Sequence, residues 1–233
     1  AIDSGAQSFV SSPDGSIVAY VVHNPQGIHV APIDGSQPPL QVSTGSFLTF
    51  LRFSSDGLRV VYSRFVSPDW GLFSAPVSGG PPVLLNPGTS LPDTGSPVVA
   101  GDYVYFLARG AVANIPHLYR APADGSATAI RLDAPFTAFA GSGVHAFRLP
   151  AGGTHVVYAA TVTAGLGDQL FRVPTDGSQA GVELSGPFVN GGGVILAEGF
   201  TPSPDGTRVA FVAESVTDEV FELFSAPRDG SAA

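Results

Sequence analysis

The chain has 233 residues, of which 44% are hydrophobic and only 12% charged, with a formal net charge of −9. This is enough apolar material to bury a core, in one large domain or two small ones, and too much for a disordered tail. There is no lysine and the ten arginines stand singly, so no basic patch tracks a phosphate backbone and nucleic acid is not an expected partner.

With no cysteine, disulfides and thiolate metal sites are ruled out. No apolar run reaches the roughly 20 residues that span a bilayer as a helix. Ala1 stands first and methionine is absent throughout, which suggests a processed or truncated product.

Glycine and proline together number 50, a supply suited to short strands and many turns. They are not scattered. The stretches "IHVAPIDGSQ", "LFSAPVSGGP", "LYRAPADGSA", "LFRVPTDGSQ" and "LFSAPRDGSA" echo one another, with prolines at 32, 76, 122, 174 and 227, so that successive copies lie 44, 46, 52 and 53 residues apart. A period of this size in a strand-rich sequence points to propeller blades. Helical repeats would need amphipathic stretches of ten or more residues, which the chain lacks.

Taken in chain order, the repeats run approximately 6–45, 46–89, 90–135, 136–187, and 188–233 plus 1–5. Each holds four strands, a to d. In the second, "TFLRF" is strand a, "SSDG" a turn, "RVVYSRF" strand b, "SPDWG" a loop, "LFSAPV" strand c, "SGG" a turn and "PVLLN" strand d. The a-to-b turn recurs as "SPDG" at 12–15 and 203–206, and more loosely at 100–102 and 150–153. Asp14, Asp34, Asp56, Asp124, Asp176, Asp205 and Asp229 each precede a glycine, so much of the acidity is turn chemistry. Strand b is nearly all apolar in every copy ("IVAYVV", "VVYS", "YVYFLA", "VVYAAT", "VAFVA"), as expected for a strand covered on both faces. The repeated proline, which lacks an N–H, suits the end of strand c.

The chain stops where the fifth strand d begins and starts where a strand d ends. The expected fold is therefore a single all-β domain over 1–233, a β-propeller of five four-stranded antiparallel blades whose last blade is closed by the N-terminal strand. The rival is a window on a longer array, with an open edge able to pair with a second copy.

"SPDG" after strand a, an apolar strand b, and a strand c that closes in Leu, Tyr or Phe, then Pro-x-Asp-Gly-Ser, together resemble the Pro-Asp-Gly propeller repeats of the TolB type. The resemblance covers nearly the whole chain. It implies a periplasmic or secreted protein. It also implies either a binding propeller or the propeller domain of a prolyl-oligopeptidase-like hydrolase. Five repeats here against six in TolB, and no preceding domain, depart from that pattern.

Catalytic motifs are missing. There is no G-x-S-x-G, H-E-x-x-H, Walker or EF-hand sequence, and "GSGVHA" and "GLGDQL" lack the third glycine of a dinucleotide fingerprint. No enzyme activity, cofactor or metal is expected. His23 and His29 flank a short loop and read as a cross-strand polar pair, while His117, His145 and His155 stand alone. Binding is expected on the connections from b to c and from d to a, which vary while the Asp-Gly turns repeat. The candidate residues there are Asp69, Trp70, Asn114, His117, Asp168, Phe188, Asn190, Asp218 and Glu219. Trp70, the only tryptophan, is expected in a loop, either as an aromatic anchor at a binding surface or packed across to the neighbouring blade. Phe136, Phe139 and Phe188 pack between blades or meet a partner, and Asp168, Asp218 and Glu219 are solvated loop charges or hold a cation. The expected partner is a protein or a glycan, and the expected state a monomer, with self-assembly through an open edge as the alternative.

Overall fold

A computed structural model of the chain describes residues 5–23, 26–45, 48–91, 96–110, 115–133, 135–150, 153–186, 188, 192–195, 199–214 and 220–231. Among these there is no helix, and the strands form five antiparallel sheets that follow the sequence repeats. The first sheet is β1 (Ala6–Ser11), β2 (Ile17–His23), β3 (Gln26–Pro32) and β4 (Leu40–Thr44). The second is β5 (Leu48–Phe53), β6 (Arg59–Val66), β7 (Asp69–Pro76) and β8 (Val83–Leu84). In the third, β9 (Thr89–Ser90) and β10 (Val98–Ala100) both pair with β11 (Tyr103–Gly110), which is followed by β12 (Pro116–Pro122) and β13 (Ile130–Arg131). The fourth holds β14 (Gly143–Arg148), β15 (His155–Thr161), β16 (Gln169–Pro174) and β17 (Val182–Glu183). The fifth holds β18 (Phe200–Pro202), β19 (Arg208–Glu214) and β20 (Phe221–Pro227). The expected N-terminal closing segment, residues 1–5, lies outside the described residues except for Gly5.

Two compact units divide the chain: Ala1–Ala111 with Arg120–Ile130, and Val112–Tyr119 with Arg131–Ala233.

The repeated turns are built by hydrogen bonds that only Ser, Asp and Gly supply together. In the a-to-b turn, the hydroxyls of Ser12, Ser54 and Ser203 donate to Asp14, Asp56 and Asp205 at 2.5, 2.6 and 2.5 Å. The same hydroxyls accept the N–H of Ile17, Arg59 and Arg208 across the hairpin. These bonds hold the carboxyls of Asp14 and Asp205 down at about 2, with the serine hydroxyl the main cause in both. In the c-to-d turn the proline carbonyl accepts the glycine N–H three residues on, at Pro32, Pro76, Pro122, Pro174 and Pro227. The residue after each proline donates back to the a-to-b turn, as Ile33 does to Ser16. Both turns therefore sit at the same end of every sheet.

Sheets stack through their faces. In the first unit, Ala19, Val21, Ile28 and Val42 interdigitate with Leu51, Phe53, Val60, Tyr62 and Phe73. In the second, Val157, Ala159, Leu170 and Leu184 meet Phe200, Val209, Phe211 and Ala226. Each core is reinforced by an aromatic on strand b stacked on a ring of strand c: Tyr20 on His29, Tyr62 on Phe73, Tyr158 on Phe171, Phe211 on Phe224, with centroids 5.3 to 5.8 Å apart. Such pairs add about 1 kcal/mol each beyond the area they bury. β2, β6, β11 and β15 each run through four or more consecutive buried residues, as the apolar runs imply. β19 differs: it alternates, with Ala210 exposed beside Ser225 and Leu223 of β20. The run "VAFVA" thus overstates its burial, because Val and Ala on an open face look the same in sequence as Val and Ala in a core.

The turns also join neighbouring sheets. A Cβ added to Gly125 would lie 2.4 Å from Val83 of β8, and one on Gly230 would lie 2.9 Å from Val182 of β17. Gly35 has the same positive φ as Gly125, about 70°, and open space around it. Gly35→Ala should therefore cost only backbone strain, about 1 kcal/mol. Gly125→Ala should add a further 1–2 kcal/mol, roughly, for the displaced Val83. Urea unfolding of both variants measures the difference, and equal losses would remove the inter-sheet contact from the account.

Candidate binding surface

The end of each sheet away from the Asp-Gly turns carries the b-to-c hairpins and d-to-a connections. In the second sheet, ladder pairing runs out to Phe65↔Trp70 and Val66↔Asp69. Asp69 and Trp70 therefore stand on β7, not in the loop the sequence suggested. The loop shrinks to Ser67 and Pro68 because the Trp70 ring packs edge-on against Phe65, centroids 5.6 Å apart, and holds the strands together. Trp70 is half-buried, while Phe65, Val66 and Asp69 are exposed. The Trp70 carbonyl accepts the Leu91 N–H, and its own N–H reaches the Ser90 hydroxyl of β9.

Strand d ends in the same way in three sheets. Leu85, Leu132 and Leu184 donate their N–H to the carbonyls of Leu72, Leu118 and Leu170. The next side chain, Asn86, Asp133 or Ser185, accepts the N–H of that same leucine at 2.7, 2.9 and 3.0 Å. A side-chain oxygen replaces the carbonyl the ladder would supply, so the outer strand stops without orphaning a buried donor. The sequence shows this as Leu followed by Asn, Asp or Ser, a signal the strand reading passed over.

At Asp133 the cap is charged. The Asp133 side chain, 1% exposed, takes the His117 Nδ1–H at 2.9 Å and the Arg131 guanidinium at 2.7 Å. Phe136 lies against the His117 ring and beneath Arg131. His117 is consequently neither solitary nor in a loop: it sits on β12 as part of an ion cluster. His145 is not solitary either. Its Nδ1 donates to Asp168 at 2.8 Å, Asp168 also accepts the Thr161 hydroxyl, and this hydrogen bond raises the His145 pKa above its usual 6.5. Asp168, its side chain 11% exposed, is therefore no solvated loop charge; its backbone also pairs with Val194, which pairs in turn with Ala213 of β19. Phe188 is buried in the core with Phe200 and Phe211 and is not available to a partner. Asn114, Asn190, Asp218 and Glu219 lie outside the described residues.

The predicted His23 and His29 pair does not form. His23 faces Gln26 and His29 faces Tyr20, because the hairpin closes over two residues and the sequence midpoint is not the register midpoint. Among the described residues no three His, Asp or Glu side chains gather as a metal centre requires. A cavity of about 320 Å³ opens at the turn end between the second and third sheets, lined by Asp56, Arg59, Asp102, Tyr103 and Asp124 among others. There Asp56 and Asp124 are tied into their turns, and Arg59 is tied to Ser74.

This arrangement of sheets recurs in solved structures. TolB from Acinetobacter baumannii matches over 97% of this chain and 52% of its own, at 17% identity and a TM-score of 0.52. A puromycin-hydrolyzing peptidase of Mycobacterium tuberculosis matches 94% and 37%, at 13% identity and TM-score 0.53. Oligogalacturonate lyase from Vibrio parahaemolyticus matches 94% and 65%, at 10% identity and TM-score 0.56. The chain has the β-propeller fold of TolB. It spans about half the length of that TolB chain. No protein-family model and no curated protein matches the sequence.

Two predictions test the propeller's charged caps. Asp133→Ala strips the acceptor from Leu118, His117 and Arg131 and should destabilise by about 3 kcal/mol. Asp133→Asn keeps an oxygen for the Leu118 N–H, as Asn86 does, and should cost clearly less; equal losses in chemical denaturation would sink the capping role. The second concerns pH. Because the folded His145 pKa is raised, its contribution is fully present below about pH 6.5 and fades as pH rises through the folded value. NMR titration should find His145 above 6.5, and His145→Gln should flatten that part of the stability profile.

Proposed function

We propose that the chain is a non-catalytic interaction module, periplasmic or secreted, that contacts a protein or glycan partner through the variable connections. The observation that carries this is the tip of the β6–β7 hairpin. Phe65 and Val66 remain exposed there beside half-buried Trp70 and charged Asp69. An apolar tip with an aromatic anchor and a polar edge has the composition of a binding hot spot. The resemblance to TolB supports an extracytoplasmic site of action, and no helix among the described residues is long and apolar enough to cross a membrane.

A photo-crosslinking residue at Val66 should capture a partner in the native cell envelope, whereas one at Ile33, in a c-to-d turn, should not. Trp70→Ala should weaken capture at least tenfold, about 1.4 kcal/mol or more, with the melting temperature little changed. Equal capture from both positions, or capture indifferent to Trp70, would overturn the proposal.

The structural match to a peptidase propeller favours a second reading, in which this is the propeller of a larger hydrolase. A catalytic domain with a G-x-S-x-G elbow in the same reading frame would decide for it.

A further inference from the structure

We propose that the outer edge of β20 receives an extended segment of a partner protein, paired antiparallel as a fourth strand and reading Val or Ile, then Arg or Lys, then Leu, then Asn or Ser. This surface is separate from the β6–β7 hairpin tip and has its own chemistry.

One position of the repeat carries the argument. Four residues before the repeated proline stand Ile28, Leu72, Leu118, Leu170 and Leu223. The first four are 0% exposed and Leu223 is 78% exposed. Strands β3, β7, β12 and β16 each lie between two others, and Leu170, for one, packs with Leu184 beside β17. Among the described residues β20 pairs with β19 alone. Phe221, in phase with Leu223, and Ala210 beside it are exposed as well. An edge of seven residues with apolar side chains, no proline before Pro227 and no lysine is a template for a further strand.

The occupied sheets state what that strand must be. In the second, third and fourth, a leucine donates its N–H to the carbonyl of the residue equivalent to Leu223, and the next side chain accepts that residue's N–H. By the same phase the Leu223 N–H and C=O point outward and call for a leucine followed by a side-chain oxygen. Two residues before that leucine stand Val83, Ile130 and Val182, all aliphatic.

Charge sets the residue between. In the fourth sheet it is Glu183, which accepts the Nε2–H of Gln169, five residues before Pro174. Glu222 holds the place of Gln169 in β20, so the incoming side chain meets a carboxylate there, and Arg or Lys is favoured. The same carboxylate disfavours Asp as the cap. Asp133 is met at that place by the His117 Nδ1–H, a donor that a carboxylate does not offer, which leaves Asn or Ser.

This chain's own stretches of that form are already used in their sheets. Residues 1–5, "AIDSG", aligned with "AIRLD" at 129–133, set Ser4 against Leu132 and Gly5 against Asp133. They lack both the leucine and the capping side chain, so a partner's segment fits the edge better.

The anisotropy of a fluorescein-labelled Gly-Val-Arg-Leu-Asn-Gly-amide, titrated with the full chain, should rise and saturate at roughly 10 μM to 1 mM. N-methylation of its leucine removes the N–H that meets the Leu223 carbonyl and should weaken binding about tenfold. Replacing its Arg by Glu should weaken binding about threefold; Glu222→Gln should abolish that preference and Glu222→Arg invert it. No saturable binding, indifference to N-methylation, or a charge preference that survives both Glu222 variants would overturn the proposal. Binding seen only in Ile2→Asp would overturn it in favour of the chain's own N-terminal segment. A dimer in sedimentation that the peptide dissociates would overturn it in favour of a second copy. The peptide should leave crosslinking from Val66 unchanged, so the hairpin tip and this edge stand or fall separately.

Discussion

Neighbouring sheets meet where a turn has no side chain. Gly79 rests on Leu40, Gly125 on Val83 and Gly230 on Val182, each a c-to-d turn seated on the outer strand of the sheet before it. The glycine is required twice there, once for a positive φ and once because a Cβ at Gly125 or Gly230 would collide with its neighbour. Asp and Ser fix the turn's shape, the proline carbonyl closes it, and the glycine lets it approach. This double constraint is a physical reason for the chain to repeat one stretch at intervals of 44 to 53 residues: a repeat that lost the turn would lose both its own hairpin and its seat on the preceding sheet.

A constraint at one end of the sheets releases the other. The d-to-a connections need only end strand d without leaving a buried N–H unpaired, and Asn86, Asp133 and Ser185 do so with three different side chains. The choice has consequences. Asn86 is neutral and turns its amide toward the Trp70 and Thr89 carbonyls, binding the hairpin to the connection behind it. Asp133 is charged and buried, and so draws in His117 and Arg131. One capping job thus yields a neutral platform in one sheet and an ion cluster in another.

The fold was legible in the sequence because its signals are local and repeated. Each Asp-Gly turn is read from residues within five positions of one another, and the period and strand order from the recurrence of those short stretches. What was not legible depends on pairing across strands. Asp69 and Trp70 looked like loop residues because Ser67 and Pro68 beside them are turn formers, yet the Phe65–Trp70 contact carries the ladder past them. His117 and His145 looked solitary because their carboxylates lie 16 and 23 residues away along the chain. Phe188 looked like a loop aromatic because glycines follow it, and only packing against Phe200 and Phe211 makes it core. The strand-b aromatics were visible one repeat at a time, but their partners on strand c emerge only once register is known.

These pairings also sort the charged residues at the variable end. A carboxylate that already accepts two or three hydrogen bonds, as Asp133 and Asp168 do, has little capacity left for a partner, and exposing it would leave its own cation or backbone donor unpaired. Such groups stiffen the surface without supplying its specificity. A surface that binds needs the opposite: groups held in place whose bonding capacity is not yet used. In the second sheet, Trp70 is fixed by Phe65 and by backbone bonds while its ring stays partly open. The backbone of that residue is satisfied by the fold, and its ring is left on the face of the sheet turned away from the core that Phe73 and Ala75 share with the first sheet.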